Sequence, residues 1–142
     1  MKAAEIWKLI LLLHISCIIS SGCGGGQADG QPDLGLVKGT VSMDGKPLLG
    51  TMVIFSPEKG RPSMGATDSD GKYQMSYIGN TKGAKLGNHK ISITTVQEEG
   101  SNDSGGGKFK ETIPAKYNSK STLTEVVKAG KNVIDFELTS KK

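Results

Sequence analysis

The stretch Gly65-Ala66-Thr67-Asp68-Ser69-Asp70-Gly71-Lys72-Tyr73-Gln74-Met75 decides how the chain is read. Two short strand-like runs flank an acidic turn that closes on glycine. Asp tolerates tight-turn backbone angles and Gly adopts them at least cost, so residues 68–71 are expected to reverse the chain. Tyr73 and Met75 then point to one side of the next strand, and Gln74 and Ser76 to the other. The expected unit is a hairpin of Met64–Thr67 against Tyr73–Tyr77.

Outward from this turn the pattern repeats. Val37, Gly39, Val41 and Met43 alternate with Lys38, Thr40 and Ser42, the period-two mark of a half-buried strand. Asp44-Gly45-Lys46-Pro47 ends it. Thr51-Met52-Val53-Ile54-Phe55 is apolar on both faces and reads as a central strand. Pro57 and Pro62 make 56–62 a loop. Residues 79–87 are polar and turn-rich. His89, Ile91 and Ile93 face one way, while Lys90, Ser92 and Thr94 face the other. Residues 97–112 hold almost no apolar side chain but Phe109, and are expected to form a mobile Gly-rich loop. Ile113-Pro114-Ala115-Lys116-Tyr117 resumes order with room for one helical turn. Residues 122–127 are strand-like, 129–132 turn, and Ile134, Phe136 and Leu138 alternate along a last strand.

No segment reads as a long amphipathic helix. Short strands at regular spacing imply an all-β fold, a seven-stranded antiparallel β-sandwich of the general kind described for such patterns. Its expected core is Val41, Val53, Phe55, Tyr73, Met75, Ile91, Ile93, Leu123, Phe136 and Leu138. Each such burial contributes roughly 1.5–3 kcal/mol, enough to hold a domain without disulfides. The 142 residues suit one domain of ordinary size, and 20 glycines suit many turns. The net charge is +4, with lysines scattered and aromatic content at 5%, which argues against nucleic acid as a partner.

The N-terminus reads as an address. Lys2 and Lys8 precede the apolar run 9–19, which is shorter than the ~20 apolar residues of a membrane-spanning helix. Ser20-Ser21-Gly22 then lead to Cys23. Small residues before a cysteine resemble the lipobox of bacterial lipoproteins. The resemblance implies a signal peptide over 1–22, diacylglycerol on the thiol of Cys23, and an acylated N-terminus anchored in a membrane. Gly24 after the cysteine favours the outer membrane by the same resemblance. Residues 23–35 are a flexible tether, and the domain spans 36–140. Cleavage before Cys23 would remove Cys17 and so leave no pair for a disulfide.

Val37-Lys38-Gly39-Thr40-Val41, Asp44-Gly45-Lys46-Pro47-Leu48, Val53-Ile54-Phe55, Thr67-Asp68-Ser69-Asp70-Gly71-Lys72-Tyr73 and Gly87-Asn88-His89-Lys90-Ile91 form a series. Together they resemble the carboxypeptidase regulatory-like domains, which have a transthyretin-like (prealbumin-like) sandwich. Ile113-Pro114-Ala115-Lys116-Tyr117, followed by Leu123, Asn132, Phe136 and Leu138, resembles the tail of the small bacterial lipoprotein versions. These motifs mark turns and core, so the resemblance implies a fold rather than a chemistry.

The site candidates are few. Asp68 and Asp70 before Gly71 read as a plain turn, with half a calcium site as the alternative; no Glu stands at the twelfth position. His89 would be the sole histidine of a processed chain and shares a face with Ile91 and Ile93, so it reads as a packed residue rather than a ligand or base. Met43, Met52, Met64 and Met75 could join it as copper ligands but read as core filling. No nucleophile stands with a base. Transthyretin-like hydroxyisourate hydrolases rely on several histidines, an arginine and a C-terminal Tyr-Arg-Gly-Ser motif, whereas this chain ends Glu137-Leu138-Thr139-Ser140-Lys141-Lys142. The expected function is a non-enzymatic, lipid-anchored envelope module without cofactor, either structural or binding a protein partner at a sheet edge or through the 97–112 loop. A small-molecule or glycan binder using Tyr77 and Tyr117 is the alternative, and a metal-binding accessory protein stands behind it.

Overall fold

The computed structural model describes residues 31–96 and 110–141. In chain order they form β1 (Leu34–Met43), β2 (Lys46–Pro47), β3 (Thr51–Pro57), β4 (Ser63–Ala66), β5 (Lys72–Gln74), β6 (Ser76–Ile78), β7 (Thr81–Lys82), β8 (Ala84–Lys85), β9 (Gly87–Thr95), the 3-10 turn η1 (Ala115–Tyr117), β10 (Thr124–Val127), β11 (Lys131–Val133) and β12 (Phe136–Leu138). They make the two sheets of an all-β sandwich. The seven strands expected from the sequence resolve into twelve shorter segments among the described residues.

Sheet II runs β10-β9-β3-β4-β6-β7 and is antiparallel throughout. Directly paired residues share a face, so Val53 with Ile93 and Phe55 with Ile91 present a dry inner surface from its centre. β3 is central, as its sequence predicts.

Sheet I is built on β1, ten residues long. One side of β1 takes β8, β5 and β2 in antiparallel pairing at successive heights: Gly35 with Ala84, Gly39 with Tyr73, Met43 with Lys46. The other side takes β11 and β12, both parallel to it. Residues 131–138 thus form one strand interrupted at Ile134-Asp135. There, the Ile134 N–H still donates to the Lys38 carbonyl at 2.9 Å, and side chains supply the rest. The Asp135 carboxylate accepts the Thr40 N–H at 2.7 Å and its hydroxyl at 2.8 Å. The Ile134 carbonyl accepts the Tyr73 hydroxyl at 2.7 Å. A Cβ at position 39 would lie 1.7 Å from that carbonyl oxygen, so only glycine fits beneath it.

The turn at 68–71 forms as expected. Gly71 has φ 73°, its N–H donates to the Asp68 carbonyl at 3.0 Å, and the Asp68 N–H donates to the Lys72 carbonyl at 2.9 Å. The expected hairpin does not form. β4 lies in sheet II beside β3, and β5 lies in sheet I beside β1. The cause is a competing set of main-chain bonds. Val41 N–H donates to the Gly71 carbonyl at 2.8 Å, and Met75 N–H donates to the Val37 carbonyl at 2.9 Å. These carry 71–75 across to β1. After Met75 the chain returns, and Ser76 pairs with Met64. The turn is a corner between sheets.

The core holds nine of the ten residues expected there; the tenth, Leu123, is half-buried against it. Val37, Ala84, Ile113 and Val127 complete it. Through its middle Phe136 meets Phe55 edge to face and stacks on Tyr73, with ring centroids 6.3 and 6.2 Å apart.

Candidate functional site

Both turn carboxylates are engaged locally. Asp68 Oδ1 accepts the N–H groups of Asp70 and Lys72, each at 2.9 Å, and Asp70 Oδ2 pairs with Lys72 Nζ at 3.1 Å. They hold the corner in shape. Among the described residues no three of His, Cys, Asp and Glu converge as a metal-holding group. Strand alternation also separates the methionines: Met75 is in the core, whereas Met64 is 49% exposed on the outer face of sheet II.

His89 is 1% exposed, 5.6 Å from the Phe55 ring. Its Nε2 lies 2.7 Å from the Lys85 carbonyl, which can only accept, so Nε2 carries a proton. Nδ1 has no hydrogen-bond partner. Glu125 stands directly opposite His89 in the β10–β9 ladder. Sequence spacing hides this neighbour, because 36 residues separate the two positions and only the register of the ladder joins them. Cys23 lies outside the described residues, as do residues 97–109 of the expected loop.

Tyr77 and Tyr117 do not share a site. Tyr77 is on β6, three strand steps from β9, against which η1 packs, a separation of about 14 Å at the usual strand spacing. Tyr117 is used in fastening. Its hydroxyl oxygen accepts the Thr139 N–H at 3.0 Å, and bonds with Thr139 hold its pKa below the usual phenol value. Lys116 Nζ lies 5.1 Å from its ring centroid and donates to the Lys141 carbonyl at 2.7 Å.

The edge of β9 shows a division of labour. Along its first half β10 supplies the ladder, with Val127 opposite Gly87 and Glu125 opposite His89. Further along, Ser121 Oγ donates to the Ile91 carbonyl at 2.6 Å. At the end, the Glu111 carboxylate accepts the Thr95 N–H at 3.1 Å and its hydroxyl at 2.6 Å, the Thr94 hydroxyl, and the Ile113 N–H at 2.9 Å. Partial burial pushes the Glu111 pKa up, but these four donors outweigh it and hold the carboxyl below the ordinary glutamate value. Beside this clip, Ile113, Pro114, Ala115, Lys116, Lys120 and Ser140 line a cleft of about 670 Å³.

Among the described residues, β10 itself has an open side. Ile91 N–H donates to the Leu123 carbonyl at 2.9 Å, so by alternation Glu125 and Val127 turn their main-chain groups toward β9. Thr124 and Val126 turn theirs outward. Val126 is 52% exposed, the strand has no Pro or bulge, and its one charge, Glu125, points to the face that His89 shares. Other edges are blunted. β7 has two residues, an irregular register against β6, and Lys82. The edge at 131–138 is broken by the Ile134-Asp135 interruption.

No protein-family model and no curated protein matches the chain. Among solved structures, a DUF3823 family protein from Parabacteroides merdae ATCC 43184 aligns with it at 14% identity and a TM-score of 0.39. The alignment covers 75% of this chain and 46% of that one, so this chain spans less than half of that protein's length.

Proposed function

We propose that the chain is a lipid-anchored, non-enzymatic module of the cell envelope, a carboxypeptidase regulatory-like β-sandwich that holds a protein partner by accepting a strand along β10. The observation that carries this reading is the outward-turned main chain of Thr124 and Val126 on an unguarded edge. An added strand gains main-chain bonds for affinity, and the alternate side chains give specificity. The anchor rests on Ser21-Gly22-Cys23, and the domain type on the turn and core series that ends at Phe136 and Leu138.

The test uses Val126→Pro. Proline removes the N–H that points outward and leaves the β9 ladder whole. A photo-crosslinker at position 124, in cells, is expected to give one discrete protein adduct. The adduct should vanish in Val126→Pro while its thermal midpoint stays near that of the parent. An adduct that survives the proline overturns strand capture.

The cleft beside Glu111 supports a second reading, a small ligand with an apolar body and an anionic edge held by Lys120. Loss of ligand protection against thermal unfolding in Lys120→Ala would distinguish it from strand capture.

A further inference from the structure

The two ends of the sandwich differ in charge. The chain enters β1 at the end where Leu86 N–H donates to the Asp33 carbonyl at 3.0 Å. Four basic segments gather there. Lys85 is paired with Leu34 across β8–β1, and its Nζ donates to the Lys59 carbonyl at 3.0 Å. Arg61 follows in the same loop as Lys59. The Lys128 carbonyl lies 2.2 Å from where a Cβ on Gly35 would be, and Lys131 is paired with Leu36. Lys59, Arg61, Lys128 and Lys131 are exposed, and Lys85 is half-buried. Among the described residues none of the five is in an ion pair, and the salt bridge found there is Lys72–Asp70, at the other end.

Against these five cations stand two acids, Asp33 and Glu58; Glu125 is further up β10 and faces the interior. At the opposite end the charges are nearly even: Asp44, Asp68, Asp70, Glu111 and Glu137 are set among Lys46, Lys72, Lys110, Lys116, Lys120 and Lys141.

We infer that the basic end is a docking surface for an anionic bilayer. The inference rests on the proposed anchor at Cys23. Ten residues, 24–33, separate that cysteine from the basic end. Gly-rich linkers of that length generally span about 15–20 Å, within two Debye lengths of about 8–10 Å at ordinary ionic strength. The acylated cysteine already holds the chain in the membrane, and a basic patch within reach of anionic headgroups is drawn to them and sets how the domain faces the bilayer. The sandwich therefore stands with 57–62, 85–88 and 128–131 toward the headgroups and with the Glu111 cleft facing away.

The test uses the mature protein from its own membranes. Its intact mass is read first; a mass without acyl-glyceryl on Cys23 overturns the anchor and the orientation with it. The acylated protein is then placed in vesicles of phosphatidylcholine with or without phosphatidylglycerol, and its lysines are labelled with an amine-reactive reagent and read by mass spectrometry. Lys59, Lys128 and Lys131 should be labelled several-fold more slowly on the anionic vesicles, and high salt should restore them. Lys46 and Lys72 should label alike on both. In the double variant Lys128→Glu, Lys131→Glu, protection of Lys59 should fall. Equal labelling of Lys59, Lys128 and Lys131 on neutral and anionic vesicles, in a protein shown to be acylated, overturns the docking and leaves the anchor standing.

Discussion

Two edges of this sandwich meet the same problem in opposite ways. The edge at 131–138 is interrupted, and Asp135, Tyr73 and Gly39 settle each main-chain group where the ladder fails. The edge at β10 is regular and, among the described residues, leaves Thr124 and Val126 with nothing beside them. An irregular edge needs particular side chains but refuses a neighbour. A regular edge needs none and invites one.

The sharpest way to break the contrast is Gly39→Ala. Its methyl would meet the main chain of Ile134, which cannot step aside without giving up the Tyr73 and Lys38 bonds. A loss of about 3 kcal/mol or more is expected in chemical denaturation, beyond the usual cost of overpacking. Next comes Tyr73→Phe. Tyr73 is 4% exposed, and burial, with Asp135 and Glu125 adding, pushes its hydroxyl pKa up. Removing the hydroxyl leaves the Ile134 carbonyl short of a donor, at a cost of about 1–3 kcal/mol.

Glu111→Gln tests the clip that finishes the β9 edge. The folded-state pKa of Glu111 lies below its ordinary value, so its contribution is complete above the ordinary carboxylate pKa. It is lost as pH falls through the folded value. At neutral pH the variant should be less stable by about 1 kcal/mol, given solvent screening of a partly exposed group. The gap should close in acid, and a constant gap across pH would assign the effect to shape alone. The smallest effect belongs to Val126→Pro, where stability should hold within about 0.5 kcal/mol because the lost N–H has no partner among the described residues. A large loss there would mean that the β10 edge is already in use within the fold.

Period-two alternation made β1, β9 and β12 legible, a run apolar on both faces did the same for β3, and nine core residues followed from the strands. Alternation reports which face a residue takes, and it is silent on which sheet its strand joins. That silence explains the turn at 68–71: its residues predict a reversal, while the partners of Gly71 and Met75, Val41 and Val37, lie on β1, 30 and 38 residues earlier. The two-residue strands β7 and β8 have no period to detect, so buried Ala84 could not be found. Glu111 was hidden because its partners, Thr94 and Thr95, lie across the 97–109 insertion, where spacing carries no register.

The parallel pairing of 131–138 with β1 also sets an order of events. The Thr40–Asp135 bond joins residues 95 apart. Contacts of such long range are costly to close and slow to form. A chain made from its N-terminus has β1 early and that flank's partner last. Until the final stretch arrives, β1 keeps a bare flank along its length. A chain cut short before Lys131 would carry that flank permanently, and its fate would be clumping or destruction rather than a slightly weakened fold.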